Sequence, residues 1–250
     1  MDMENLPSLV AVILLAATFV LGGHLEIGAK SHRRRWLSVG AGIAAAYVFV
    51  QLLPEMFEAQ IAFSKATAGS GLPFPEQRVY TSALMGFVLV YGLENLVSRS
   101  REQRREERVT EGKGDLVYWL HMGGFAVYGG LVSYLMVDQG KRGLVFLALY
   151  FVAMFLHFLG VDHSLRREHA ALYDRSGKWV LAGTVLAGWL VGASISIPET
   201  VLSTLQGLVG GGVVINSMIM ELPKENEGRF WPFCAGAVGY ALIILLIMKQ

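Results

Sequence analysis

Eight apolar stretches divide this chain, and they limit what it can fold into. A helix needs about 20 mostly apolar residues to cross the hydrocarbon core of a bilayer, at roughly 1.5 Å per residue. The qualifying segments are 6–27, 36–61, 80–98, 116–137, 143–163, 179–197, 199–222 and 230–248. The sequence therefore predicts an all-α integral membrane protein, with residues 1–250 forming one bundle of eight transmembrane helices.

The composition favours the same class of protein. Hydrophobic residues make up 54% of the chain and charged residues only 16%, whereas soluble domains carry about 25% charged residues. A net charge of +1 provides no basic surface for nucleic acid. The single cysteine, Cys234, excludes an internal disulfide and a zinc site built from cysteines. We expect the lipid bilayer, and not nucleic acid, as a partner.

The charges between the apolar segments predict an orientation. The connections after the first, third, fifth and seventh segments hold 16 of the 21 Lys and Arg residues. The positive-inside rule makes this side cytoplasmic and places both termini outside the cytoplasm, as we expect in the plasma (inner) membrane. The mixed-charge segment 98–115 is then a cytoplasmic loop. It is either a solvated helical extension or a disordered linker, and a regulatory or lipid-headgroup role stays open.

Polar residues near the outer ends of two segments predict an ion pathway. Gln51, Glu55 and Glu58 share one face of the second segment, and Glu199 opens the seventh on the same side. Three carboxylates at one mouth would attract a cation. The alternative is that they simply end helices at the membrane surface. Gln206 continues the polar path along the seventh segment.

The seventh segment carries small or polar residues at nearly every helical turn, which is not expected of a helix that faces lipid on all sides. They recur three, four or seven residues apart and so share a face: Glu199, Ser203, Gln206, Gly210, Ser217 and Glu221. We predict that this face packs against other helices, where small residues permit close approach.

Two histidines are the strongest candidates for metal ligands. His121 and His157 lie at similar depth, near the cytoplasmic ends of the fourth and fifth segments. Imidazole is a common metal ligand, so two at one depth favour a site. Asp162 is a third candidate, although five residues turn it about 140° from His157 on a regular helix. The alternative is that each histidine hydrogen-bonds a neighbouring helix.

Three short motifs resemble the Zrt/Irt-like (ZIP) metal permeases. VQLLPEMFEAQ, which ends the second segment, is similar to that family's "HLLPEA-x-E", and LMGFVLVYGLENL resembles its "GF-x-L-x-x-x-LE" helix. GGGVVINSMIMELPKE resembles its glycine-led helix that ends in a Leu-Pro-Glu type motif. Eight spans with both termini outside and a long polar loop after the third are also that family's layout. The resemblance implies a ZIP-like fold.

The chain departs from the family at the metal ligands. His121 and His157 match the histidines on the family's fourth and fifth helices. Met122, Phe125, Phe158, Val161 and Gln51 replace the remaining ligands and the histidine of the second helix. Zinc usually binds at least three protein ligands. We therefore expect weak binding of at most one ion.

The resemblance implies a permease, not an enzyme, that moves a divalent cation such as zinc by alternating access. An alternative is a relative that no longer transports and acts as a partner subunit or sensor. An intramembrane metal hydrolase is a third interpretation, and the chain has no HxxxH or HExxH spacing to favour it. The sequence leaves a homodimer open.

Overall fold

The computed structural model describes residues 5–24, 30–71, 75–106, 113–217 and 229–248, and among them it is almost entirely helical, with no strand. Short 3₁₀ turns lie at Gly22–His24 and Pro75–Gln77, and π-helical turns at Tyr47–Leu52 and Tyr173–Gly177. The α-helices are α1 (Leu6–Leu21), α2 (Lys30–Ala46), α3 (Leu53–Ala66), α4 (Arg78–Glu106), α5 (Lys113–Arg142), α6 (Leu144–Leu172), α7 (Lys178–Ser194), α8 (Glu199–Asn216) and α9 (Phe230–Met248).

Helices α2 and α3 form one continuous rod, interrupted by the π-helical turn Tyr47–Leu52. Pro54 explains the interruption, because proline has no N–H to donate and its ring clashes with the carbonyl one turn earlier. The helix is not broken but adopts the wider π-helical geometry there. The Leu53 N–H donates to the carbonyl oxygen of Val48, five residues earlier. A long helix thus crosses the bundle with a local change of register.

Three pairs of helices touch through their backbones. Helix α4 pairs with α8, α5 with α7, and α2 with α9. A Cβ atom added to Gly211 of α8 would lie 1.8 Å from the carbonyl oxygen of Ala83, and one added to Gly86 of α4 would lie 2.0 Å from that of Leu208. Glycines therefore let each helix lie directly on its partner, as small residues do in membrane bundles.

The other two pairs use the same reciprocal contact. A Cβ on Gly42 of α2 would meet the Phe233 carbonyl oxygen at 2.1 Å, and one on Gly236 of α9 would meet that of Val39 at 2.2 Å. Between α5 and α7, a Cβ on Gly188 would lie 2.1 Å from the Gly130 oxygen. The predicted glycine packing of the seventh segment is found, but its closest approach is at Gly211. Gly210 faces the side chains of Met56 and Leu52, and the nearest atom to its Cβ would be the flexible Met56 sulfur.

Within the described residues, five helical segments are long and apolar enough to cross a membrane: Ser38–Ala66, Pro75–Leu96, Tyr118–Arg142, Leu144–Arg166 and Phe230–Ile247. Helices α1 and α8 are apolar but shorter. Large apolar side chains point outward along α4 and α9, including Leu84 and Leu246, which are 63% and 66% exposed. This is the surface of an all-α membrane protein, because such a band is expected to face lipid.

Two boundaries differ from the sequence prediction. Helix α4 continues to Glu106 and α5 begins at Lys113, so helix enters the predicted loop 98–115 from both sides. Hydropathy marks where apolar residues end, whereas a helix rich in Arg and Glu extends well into water because those residues favour helix. Residues 107–112, and also Glu221 of the predicted polar face, lie outside the described residues.

Candidate functional site

A buried polar face runs along the rod formed by α2 and α3. Tyr47, Gln51 and Glu55 recur every four residues, and Glu58 continues the line to an exposed end. Tyr47 is 2% and Gln51 3% exposed, and the Gln51 Nε2 donates to Glu55 Oε1 over 3.2 Å. Among the described residues, neither the Tyr47 hydroxyl nor Gln51 Oε1 has a hydrogen-bond partner. Such groups are costly to bury, so the interior of this face suits a polar guest.

Arg142 occupies the exposed end of this face. Its guanidinium lies 3.7 Å from the Glu55 carboxylate and 3.1 Å from that of Glu58, and it stacks over the Phe146 ring at 4.7 Å. Glu55 and Glu58 are two of the carboxylates predicted to attract a cation from outside. The structure places a cation of the protein itself between them.

The other two residues of the predicted outer path lie on α8. Glu199 is exposed in the first turn of that helix, and Gln206 is half-buried two turns further on. Ser203 on the same face is fully buried, and Gly210 packs against Met56 of α3. The inner part of the predicted polar face therefore does contact another helix, whereas Glu199 stays at the surface.

His121 is buried and lies against a carboxylate that the sequence analysis did not select. Its Nε2 is 3.2 Å from Oε1 of Glu94 on α4, and the two side chains are 0% and 15% exposed. A charged residue inside a membrane costs roughly 2.5–3.5 kcal/mol on insertion scales. The contact with an imidazole offsets that cost, so α4 and α5 are joined by a buried pair of titratable groups.

His157 is 2% exposed and lies against Tyr128 of α5. The Tyr128 hydroxyl is 3.1 Å from the imidazole Nε2, and either atom donates according to the tautomer. The rings of Tyr128 and Phe158 surround the imidazole, with centroids 5.7 Å from it in each case. The two histidines thus have different hydrogen-bond partners, Glu94 for one and Tyr128 for the other.

Those two partners line a single cavity between α4, α5 and α8. Glu94 and Tyr128 supply its polar groups, and Gly124 and Gly212 make room for it. Its volume of about 20 Å³ accommodates a water molecule or a small ion, but no organic molecule. The cavity is therefore the place where groups bonded to His121 and to His157 meet.

Asp162 is engaged away from the histidines. Both of its oxygens are bonded, one by Arg166 Nε at 2.8 Å and the other by the Tyr173 hydroxyl at 2.7 Å. Arg166 also reaches Asp174 and donates to the Phe19 carbonyl oxygen at 2.6 Å. Burial, together with the neighbouring Asp162 charge, raises the pKa of Tyr173 well above its ordinary value, so the phenol stays a donor.

This network bears on the prediction that Asp162 is a third metal ligand. In the structure, the two oxygens of Asp162 accept from Arg166 and Tyr173. The network ties α1 and α6 to the π-helical turn Tyr173–Gly177 at one end of the bundle. Within the described ranges, no three His, Cys, Asp or Glu residues lie close enough together to hold a metal ion.

Three residues of the site escaped the sequence analysis: Glu94, Tyr128 and Arg142. Glu94 lies within the motif compared with the ZIP third helix, so the signal for it was present. Tyr128 follows His121 by seven residues and so shares its face of α5, but a tyrosine there is also an ordinary core residue. Arg142 lies in the connection between two apolar segments, where a basic residue is expected at the membrane surface.

Compared with protein-family models and with the curated proteins, the sequence matches none of them. The arrangement of the side chains is therefore the basis on which a function is assigned.

Proposed function

We propose that this protein is a ZIP-like permease of the plasma membrane that moves a divalent cation, such as zinc, by alternating access. The observation that carries the proposal is the buried polar line within an apolar bundle. It begins at Glu55, passes Gln51 and Tyr47, and is followed in the inner half by the pairs around His157 and His121. Polar groups of this kind inside membrane helices mark ion pathways more often than packing.

The ion pairs at the two ends of the bundle support alternating access. Arg142 bridges α5 and α3 at the outer end, and Arg166 ties α6 to α1 at the inner end. The Arg142 ion pairs join two helices directly, whereas Arg166 pairs with Asp162 within α6 and reaches α1 through its hydrogen bond to the Phe19 carbonyl. Breaking either contact between helices would open a path on that side. An alternating transporter requires two such closures that open in turn.

A relative that no longer transports is the second candidate, and Arg142 is the observation that favours it. Its guanidinium lies where an entering cation would have to pass, and a like charge there repels the cargo. In a partner subunit or sensor, the pair would be a permanent closure and the inner histidines would serve to pack helices.

Zinc uptake into vesicles that contain the purified protein separates the two candidates. We expect uptake above that of empty vesicles, and a drop of about tenfold or more when His121→Ala and His157→Ala are combined, because both imidazole ligands are lost. His163→Ala is the matched control, since His163 is an exposed histidine on the same helix as His157. Equal uptake by wild-type and empty vesicles would support the non-transporting candidate.

The proposed topology has eight crossings with both termini outside the cytoplasm. Gly207 and Gly211 of α8 meet Val79 and Ala83 of α4 in the same order, and Gly188 and Gly192 of α7 likewise follow Gly130 and Tyr134 of α5. Both pairs therefore run in the same direction, as alternate crossings must, which supports the topology. We expect a cysteine at Arg105, in a Cys234→Ser background, to resist a membrane-impermeant maleimide in intact cells. A cysteine at Ser70, exposed on the opposite side, should react. Labelling at position 105 in intact cells would reverse the orientation.

A further inference from the structure

A surface groove of about 590 Å³ lies between α2 and the start of α9. The Arg229 N–H donates to Ser38 Oγ over 3.0 Å, so the start of α9 lies against α2 one turn after Arg35. The residues that line the groove come from both helices: Arg35, Arg229, Phe230, Trp231, Pro232 and Ala235. Small-molecule sites enclose roughly 300–1,000 Å³, so the groove has room for a whole polar headgroup and not only for an ion.

Two arginines make this groove basic. The side chains of Arg35 and Arg229 are exposed, and among the described residues neither guanidinium lies in an ion pair. A planar guanidinium binds phosphate through two parallel N–H···O bonds, which makes arginine well suited to recognising that group. The groove is therefore suited to an anion that carries a phosphate.

The aromatic side chains beside the arginines indicate where in the bilayer the groove lies. Phe230 and Trp231 are 70% and 79% exposed, and their rings pack edge to face with centroids 5.5 Å apart. Tryptophan is enriched at the headgroup level of a membrane, where one side of its ring meets acyl chains and its N–H meets water. Beyond them, Phe230–Ile247 is long and apolar enough to cross the membrane. The groove thus lies at the end of a span, beside lipid headgroups.

We propose that this groove binds the headgroup of an anionic phospholipid, whose phosphate is held by Arg35 and Arg229 and whose acyl chains lie along α9. In the proposed topology the groove faces the cytoplasmic leaflet, where basic residues meet anionic headgroups. The inference uses that orientation but does not depend on transport. The lipid would bridge α2 and α9, whose backbones already touch at Gly42 and Gly236.

The competing explanation is that the arginines pair with acidic residues of the chain itself. Glu225 and Glu227 precede Arg229 in the sequence and lie outside the described residues. Thermal unfolding of the purified full-length protein in detergent distinguishes the two, because a ligand that binds only the folded state raises Tm with its concentration. We expect phosphatidylglycerol to raise Tm, and phosphatidylcholine with the same acyl chains to raise it much less.

Substitution of the two arginines tests the site itself. Arg35→Gln combined with Arg229→Gln should weaken the apparent affinity for phosphatidylglycerol about tenfold or more, since each basic residue near an anionic surface accounts for roughly fivefold. Lysine at both positions should retain part of the affinity, because the charge remains while the paired donors are lost. Arg99→Gln with Arg175→Gln is the matched control. It removes two exposed arginines from the same proposed side, outside the groove, and should respond as the wild type does.

An equal rise in Tm with phosphatidylcholine, or a glutamine variant that responds as the wild type does, would overturn the inference. An equal rise with inorganic phosphate would also overturn it, because the groove would then bind an anion without a lipid. If the glutamine variant does not fold, native mass spectrometry of the wild type decides instead. It should show phosphatidylglycerol retained where phosphatidylcholine is lost, and equal loss of both would contradict the assignment.

The failure of the proposed function looks different. If no zinc flux is measured in vesicles but the response to phosphatidylglycerol depends on the two arginines, the lipid site stands and the transport proposal falls. If flux is present and the two lipids act alike, the permease stands and the groove is not a lipid site.

Discussion

Replacing Gly211 with alanine should destabilise the protein by about 3 kcal/mol or more, at the upper end of the cost of overpacking. The added Cβ would lie 1.8 Å from the Ala83 carbonyl oxygen and 2.6 Å from its carbon, and both are backbone atoms. Neither can rotate away, so α4 and α8 must separate along their whole contact. For a chain of this size, such a loss lowers Tm by roughly 6–12 °C. Thermal unfolding in detergent measures it.

Alanine substitutions at two other glycines are the controls for that result. Gly210→Ala should cost less, because its Cβ would meet the Met56 sulfur at 2.8 Å and a methionine side chain can move. Gly123→Ala should be neutral or slightly stabilising, since nothing lies within 4 Å and alanine favours helix by up to about 1 kcal/mol. Equal Tm values for Gly211→Ala and Gly123→Ala would show that α4 and α8 do not touch there.

Arg166→Met should cost about 3–5 kcal/mol, the range found when one partner of a buried ion pair is removed. Asp162 is 2% exposed and would keep only the Tyr173 hydroxyl as a donor. The Phe19 carbonyl would lose its bond to Arg166 as well. Denaturant unfolding of the two proteins in the same detergent measures the difference.

The double variant Arg166→Met with Asp162→Asn identifies the cause. Removing the carboxylate charge should recover a large part of the lost stability, because the main penalty is an uncompensated buried charge. Arg175→Met, at an exposed arginine of the same π-helical turn, is the control and should change stability by no more than about 0.5 kcal/mol. A double variant as unstable as Arg166→Met alone would show that packing of the arginine side chain dominates.

The sequence was informative about the helices and much less so about their side-chain partners. Apolar length alone located the segments, since a bilayer demands about 20 apolar residues whatever packs beside them. The partners are a matter of tertiary geometry. Arg142 meets Glu58 across 84 positions of sequence, and no spacing rule connects them. The pairing of His121 with Glu94 likewise depends on how α4 and α5 rotate against each other.

Asp162 shows why local rules mislead at such a site. Its position after His157 invited a shared role, and helical geometry gave the only objection. What decides its surroundings is an arginine four residues later, together with a tyrosine beyond the end of the helix. An Asp and an Arg at that spacing are a common helical ion pair. The ion pair between Asp162 and Arg166 could therefore have been predicted from the sequence. It describes the surroundings of Asp162 better than a site shared with His157 does.

The π-helical turn at Tyr47–Leu52 changes which side chains face which neighbour along the rod of α2 and α3. An inserted residue rotates everything after it by about 100° relative to a regular helix. Gly42, before the turn, faces α9, whereas Met56, after it, faces α8. The half that packs on its neighbour through Gly42 thereby has a helical phase different from that of the half that carries Glu55 and Glu58. A change of sequence in one half need not disturb the alignment of the other, so the polar line can diverge while the scaffold stays fixed.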